Sequence, residues 1–306
     1  MYPMLLLCHS AQGEAASKTF RIRRECTEKE IYLLSGRDSG ESVVKNGEFK
    51  GDGINEVLSR LSDSLPARAL PIYIKFINTG SRLPVKVYPD SEYAARHGSG
   101  TGKASLIYII EASEGAEMIY GFSRAVSSEE LRRRMLGGSL SAVCNFVSAQ
   151  KGDVFFVPPG VVFAVGGGIS AIEISINSDS EYIISDYNRS GDGSRPFELN
   201  RALEVVNPQK INIAYGNTGD LTLFPFGTVR EIGKTDEFSV CVMNVDGNVG
   251  IYEEKEYSSI IAVSGEADAS YPTGTMHIKE GDSVLLPPGV KIRLSGRAEI
   301  LYTKFK

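Results

Sequence analysis

The chain has 306 residues, of which 42% are apolar and 23% charged. This is the composition of folded globular material, and it excludes a disordered tail, a collagen-like repeat and a disulfide-dense scaffold. The 33 basic and 38 acidic side chains leave a net charge of -5, which argues against nucleic-acid binding by whole-chain attraction to phosphates but leaves room for a small basic pocket.

Met4-Leu5-Leu6-Leu7-Cys8 is a short apolar run without a basic lead, read as a first strand rather than a targeting signal. Ile54, Val57, Leu58, Leu61 and Leu65 fall at helical spacing after the turn Gly51-Asp52-Gly53. Most of the remainder reads in period two, with strands rich in β-branched and aromatic residues at 72–77, 105–110, 154–157, 171–177 and 300–305. Ser127-Ser128-Glu129-Glu130 supplies capping chemistry for a second helix through Leu131 and Met135, whose Arg132-Arg133-Arg134 run reads as a solvated face. The stretch from Ser190 to Pro196 reads as a loop. No run approaches the roughly 20 apolar residues of a membrane span. Cys8, Cys26, Cys144 and Cys241 show no paired spacing, which implies a reduced, cytoplasmic protein.

An internal repeat organises the chain. Lys151-Gly152-Asp153-Val154-Phe155-Phe156-Val157-Pro158-Pro159-Gly160-Val161 is echoed by Glu280-Gly281-Asp282-Ser283-Val284-Leu285-Leu286-Pro287-Pro288-Gly289-Val290. Each copy is a Gly-Asp turn, a short buried strand and a Pro-Pro-Gly turn, the corner of a compact β-barrel. The sequence therefore predicts a mainly β chain of two related barrels, residues 1–206 and 207–306, with a linker near Asn207-Pro208-Gln209-Lys210 and a few short helices on the first unit.

The repeat resembles the second cupin motif, Gly-x5-Pro-x-Gly-x2-His, in both copies up to its final position. The surrounding residues resemble the type I mannose-6-phosphate isomerases of the short bacterial form. The stretches that carry this resemblance are Asn46-Gly47-Glu48-Phe49-Lys50-Gly51, Val85-Lys86-Val87-Tyr88-Pro89-Asp90 with Tyr93-Ala94, Gly102-Lys103 leading to Tyr108-Ile109-Ile110, Ile119-Tyr120-Gly121, and Glu173-Ile174 running to Ser178-Asp179, Tyr182 and Asp186-Tyr187-Asn188-Arg189. The resemblance implies tandem jelly-roll cupin barrels and an aldose-ketose isomerase whose zinc, held inside the first barrel, acts as a Lewis acid on substrate oxygens.

At the positions this chemistry needs, the chain departs from the family. Tyr88 stands for the first ligand His, Ser105 for the ligand Glu, Phe163 for the His that closes the motif, Lys86 for a Gln and Ile183 for the catalytic Arg. Ile292 takes the corresponding His position of the second copy. Zinc sites need three or four good donors, so no metal or other cofactor is expected and no residue is assigned as catalytic. His9, His97 and His277 read as surface or structural histidines.

Lys103, Asp186 and Arg189 match family positions and are the expected contacts for a carbohydrate or sugar phosphate. The expected function is that of a catalytically degenerate relative with a surviving ligand pocket, with no nucleic-acid or membrane partner and the oligomeric state open. An active isomerase with an atypical site and a pure interaction or regulatory module are the alternatives. Glu173, Ser175 and Asn177 alternate with Ile172, Ile174 and Ile176, and Lys86 and Tyr88 alternate with Val85 and Val87. The two polar faces are expected to meet, with Lys86 supplying a charge to Glu173 directly, through Tyr88 or through one water.

Overall fold

The computed structural model describes residues 1–10, 29–61, 70–98, 100–187 and 195–306. The fold is mainly β, with α-helices at Ile54–Leu61, Ser91–Arg96, Ser128–Leu136 and Arg195–Val205 among the described residues. None of the described helices is long and apolar enough to cross a membrane. The predicted capping at Ser127 is present, its Oγ accepting from the Glu130 amide at 3.2 Å. The Ser91–Arg96 helix is too short for a periodic signal, and it starts on Asp90, whose side chain accepts from the Tyr93 amide at 2.7 Å. Arg195–Val205 overlaps the stretch read as a loop: Pro196 lies in the first turn, where a missing N–H removes no intrahelical bond. The predicted helical position Leu65 lies outside the described residues.

Packing divides the chain into two units, one built from residues within 1–76 and 218–306 and one from residues 77–217. This differs from the expected division at 206/207, for two reasons of strand pairing. The Met4–Leu7 strand pairs antiparallel with Ser283–Leu286, Met4 opposite Leu285, so the chain start completes the C-terminal unit. Beyond residue 206, Tyr215–Gly216 pairs with Val154–Val157, and the Ile211 amide donates to the Phe122 carbonyl at 3.2 Å, which keeps 207–217 in the central unit.

In the first of these units three antiparallel strands, Phe238–Tyr252, Tyr257–Tyr271 and Lys291–Phe305, lie side by side with the last in the middle. One of its core clusters is built on Met243, Val245, Ile260, Ile292, Leu294 and Ile300.

The central unit has a five-stranded sheet in the order Tyr182–Ser185, Val85–Val87, Phe163–Ala164, Glu117–Phe122 and Cys144–Ser148. Tyr215–Gly216, Val154–Val157, Ser105–Ala112 and Ile169–Ile176 are neighbours in a second sheet. Strand alternation gives the five-stranded sheet two distinct faces. Val85, Val87, Ile119 and Tyr182 pack with Leu131, Met135 and Ala202 of the helices. From the other face Tyr120 and Phe163 join Ile107, Phe155 and Ala171 of the second sheet in one core. Immediately past the Tyr182–Ser185 strand, Tyr187 takes a left-handed backbone (φ 60°) while its side chain packs on the helix-side core, which holds a conformation that non-glycine residues rarely adopt.

The repeated hairpin has the same local form in both units. Gly152 and Gly281 each have φ of 87°, and Gly160 and Gly289 have 82° and 79°, values that favour glycine at both turns. Gly160 donates to Tyr88 O and Gly289 to Glu253 O, each at 2.8 Å.

Candidate functional site

Register settles which side chains share a face. Lys86 lies opposite Phe163 on one side and Ile183 on the other, and Phe163 lies opposite Tyr120. Directly opposed residues of an antiparallel pair point the same way, so Lys86 shares its face with Phe163 and the core between the sheets. In the second sheet Glu173 is opposite Ile107, and Ser175 opposite Ser105, with Phe155 and Val157 next in the same rows. The polar alternation over 171–177 thus turns Glu173, Ser105 and Ser175 toward that same core, as the sequence predicts.

Tyr88 is at the centre, 2% exposed. Its hydroxyl donates to Glu173 Oε1 at 3.0 Å, and its ring lies 5.0 Å from the Phe163 ring, tilted by 59°. Lys103, 4% exposed, places its ammonium 4.7 Å from the Tyr88 ring centroid, in cation–π range. The Lys103 amide donates to Pro89 O at 3.1 Å, which ties it to the chain just after Tyr88. Ser105 is fully buried, and its Oγ has no hydrogen-bond partner.

The expected approach of Lys86 to Glu173 is not what the structure shows. Lys86 Nζ donates to Glu181 Oε1 at 2.6 Å, and Lys103 Nζ donates to Glu181 Oε2, also at 2.6 Å. Glu173 instead accepts from Tyr88. The physical reason is register: Tyr182 is opposite Val87 and Ile183 opposite Lys86, so Glu181, one residue earlier, comes alongside Tyr88 and within reach of both lysines. Burial alone would raise the Glu181 carboxyl; the charges of Lys86 and Lys103 and the bonds they donate outweigh it and hold the group well below the usual carboxylate range. Sequence reasoning missed Glu181, which sits in the polar run Ser178-Asp179-Ser180-Glu181 with no periodic signal.

Ile183 is 40% exposed beside Lys86. Asp186 is buried just past the end of the Tyr182–Ser185 strand. Arg189 lies outside the described residues. His9 lies in the His9–Ser10 strand. His97 caps the Ser91–Arg96 helix and stacks on Tyr93 with centroids 4.0 Å apart. His277 pairs with Asp268 on the other unit's surface.

These residues do not fit a zinc ion. A phenyl ring fills the Phe163 position against Tyr88, and the Tyr88 phenol keeps its proton to donate to Glu173, so neither offers zinc a good donor. Among the described residues no group of three or more His, Cys, Asp or Glu could hold a metal. What the cluster offers is two lysines, two carboxylates, a phenol and a hydroxyl, a set suited to binding anionic and hydroxylated groups.

No family model matches the chain. It is 31% identical over 283 residues to mannose-6-phosphate isomerase ManA of Bacillus subtilis, covering 89% of this chain and 88% of that protein. It is 28% identical over 289 residues to a mannose-6-phosphate isomerase of Streptococcus mutans, covering 90% and 88%. Among solved structures, the mannose 6-phosphate isomerase of Bacillus subtilis matches over 99% of both chains with a TM-score of 0.86 at 23% identity. A Salmonella typhimurium phosphomannose isomerase variant matches over 100% of both, with a TM-score of 0.77 at 11% identity. These likenesses give the fold.

Proposed function

This chain belongs to the mannose-6-phosphate isomerase family, and from that premise we propose that it is a catalytically degenerate member, two cupin barrels in tandem, that binds a carbohydrate or sugar phosphate without a metal. The observation that carries this reading is what stands at the expected metal-ligand positions. The positions expected to hold metal ligands are Tyr88, Ser105 and Phe163, and the first and last pack ring against ring beneath the Lys103 ammonium. Loss of the ligand set removes the Lewis acid, and Ile183 removes a cation at the catalytic Arg position, so the polarisation that an enediol step requires has no source. The lysines and buried polar groups that remain favour recognition over turnover. Cys144 and Cys241 carry free thiols, which supports a cytoplasmic setting.

Three measurements on the full chain test this: metal content of the purified protein, mannose 6-phosphate turnover with zinc added, and thermal stability with fructose 6-phosphate. Expected are far less than one zinc per chain, no turnover and a raised melting temperature. Zinc near one per chain together with turnover would instead make the protein an active isomerase with an atypical site. Neither metal nor ligand stabilisation would make it an interaction or regulatory module.

A further inference from the structure

Glu181 sits where two cations converge. We propose that Glu181 is a built-in occupant of an anion site: its carboxylate holds the place between Lys86 Nζ and Lys103 Nζ that a phosphoryl group takes when ligand binds. The inference rests on the reading of the pocket as a sugar-phosphate site and adds that the site is self-competed.

Four features support the exchange. Each Glu181 oxygen accepts from a different lysine at 2.6 Å, an arrangement two phosphoryl oxygens can reproduce with more charge. The lysines come from separate segments. Lys86 lies in a strand between Phe163 and Ile183, and Lys103 is held by Pro89 O and the Tyr88 ring. Those contacts do not involve Glu181, so the cation pair survives its departure.

The Glu181 side chain is 29% exposed, against 21% for Lys86 and 4% for Lys103, so the carboxylate reaches water. Its backbone is tied on both flanks. Ser178 Oγ donates to Thr101 O at 2.6 Å, and Tyr182 is in register with Val87, so release is a side-chain rotation without loop opening. Finally, Ser105 Oγ, buried and without a hydrogen-bond partner, shares its face with Glu173. A buried orphan hydroxyl of this kind calls for a partner, and a ligand hydroxyl beside the anion site would supply one.

A tethered competitor lowers apparent affinity by the fraction of time the site is open. Replacing it by a neutral amide weakens its hold on the lysines, so Glu181→Gln should bind inorganic phosphate about tenfold or more tighter than the wild type by titration calorimetry. Adding Lys86→Met to Glu181→Gln should abolish the gain. Glu181→Asp keeps the charge but cannot span both lysines, and it should show an intermediate gain; if the amide variant fails to fold, this comparison decides alone. Phosphate affinity no tighter in either variant than in the wild type overturns the inference. If that result comes with fructose 6-phosphate stabilising the wild type, the anion-exchange idea falls and the pocket reading stands. A phosphate gain with no response to fructose 6-phosphate leaves the anion site standing and removes the sugar-phosphate reading.

Discussion

The two copies of the Gly-Asp/Pro-Pro-Gly hairpin share backbone form and differ in what they face. Val290 and Ile292, after the second copy, are buried with Met243, Leu294 and Ile300. After the first copy, Phe163 is buried in a cluster that also takes in Tyr88, and Tyr88 binds Glu173 beneath Lys103. The same corner therefore leads to an isoleucine among aliphatic side chains in one unit and to a ring against a phenol, a carboxylate and an ammonium in the other. Glycines and prolines fix the corner, and the residues beyond it decide whether the enclosed space stores stability or chemistry.

The largest test of that contrast is at its centre. Tyr88→Ala removes a buried ring that packs on Phe163 and strips Glu173 of a hydrogen-bond donor, at an expected cost of about 3–5 kcal/mol. Tyr88→Phe removes only the hydroxyl and should cost about 1–3 kcal/mol. Denaturant melts of both variants separate packing from polar satisfaction, and equal losses would show that the ring itself contributes nothing. In the other unit, Ile292→Ala should cost about 2–5 kcal/mol while leaving fructose 6-phosphate binding unchanged. A loss of ligand response there would end the division of labour between the units.

Next is the ion cluster, where pH supplies the handle. A carboxyl held below its ordinary value of 4.5 in the folded state contributes stability that is fully present above that pH and is lost as pH falls toward its folded value. Glu181→Gln should thus be less stable than the wild type by about 1–3 kcal/mol at neutral pH, and the gap should narrow as pH drops below 4.5. A gap constant from neutral to acid pH would mean that Glu181 acts through shape rather than charge.

How much of this could be read from the sequence follows from the range of each interaction. The hairpins, the helix starting at Ser127 and the inward face of Glu173 and Ser175 are local, set by turn residues, caps and period-two alternation. The partner of Lys86 is not local. Choosing Glu181 over Glu173 requires the register of Tyr182–Ser185 on Val85–Val87, and a two-residue slip would keep the same faces while changing the partner. The packing of the chain start is not local either: Met4–Leu7 finds its partner at Ser283–Leu286, nearly the full chain length away, and no composition shift marks that pairing.

The smallest expected effect tests the hairpins themselves. In the first copy Asp153 Oδ2 accepts from the Gln150 amide at 2.8 Å, and in the second Asp282 Oδ2 accepts from the Lys279 amide at 3.0 Å. The bond is the same, but its surroundings are not, since the Gln150–Asp153 bond is exposed while the Lys279–Asp282 bond is part-buried and Asp282 itself is 5% exposed. Water can replace the lost acceptor at the first turn, so Asp153→Ala should cost about 0.5–1.5 kcal/mol, the net worth of one hydrogen bond. At the second turn the aspartate is desolvated, and what it leaves behind is harder for water to reach, so Asp282→Ala should cost about 1–3 kcal/mol. The ordering is the prediction, read from paired denaturant melts. If Asp153→Ala proves the costlier change, the exposed bond matters more than the buried one, and burial is not what separates the two turns.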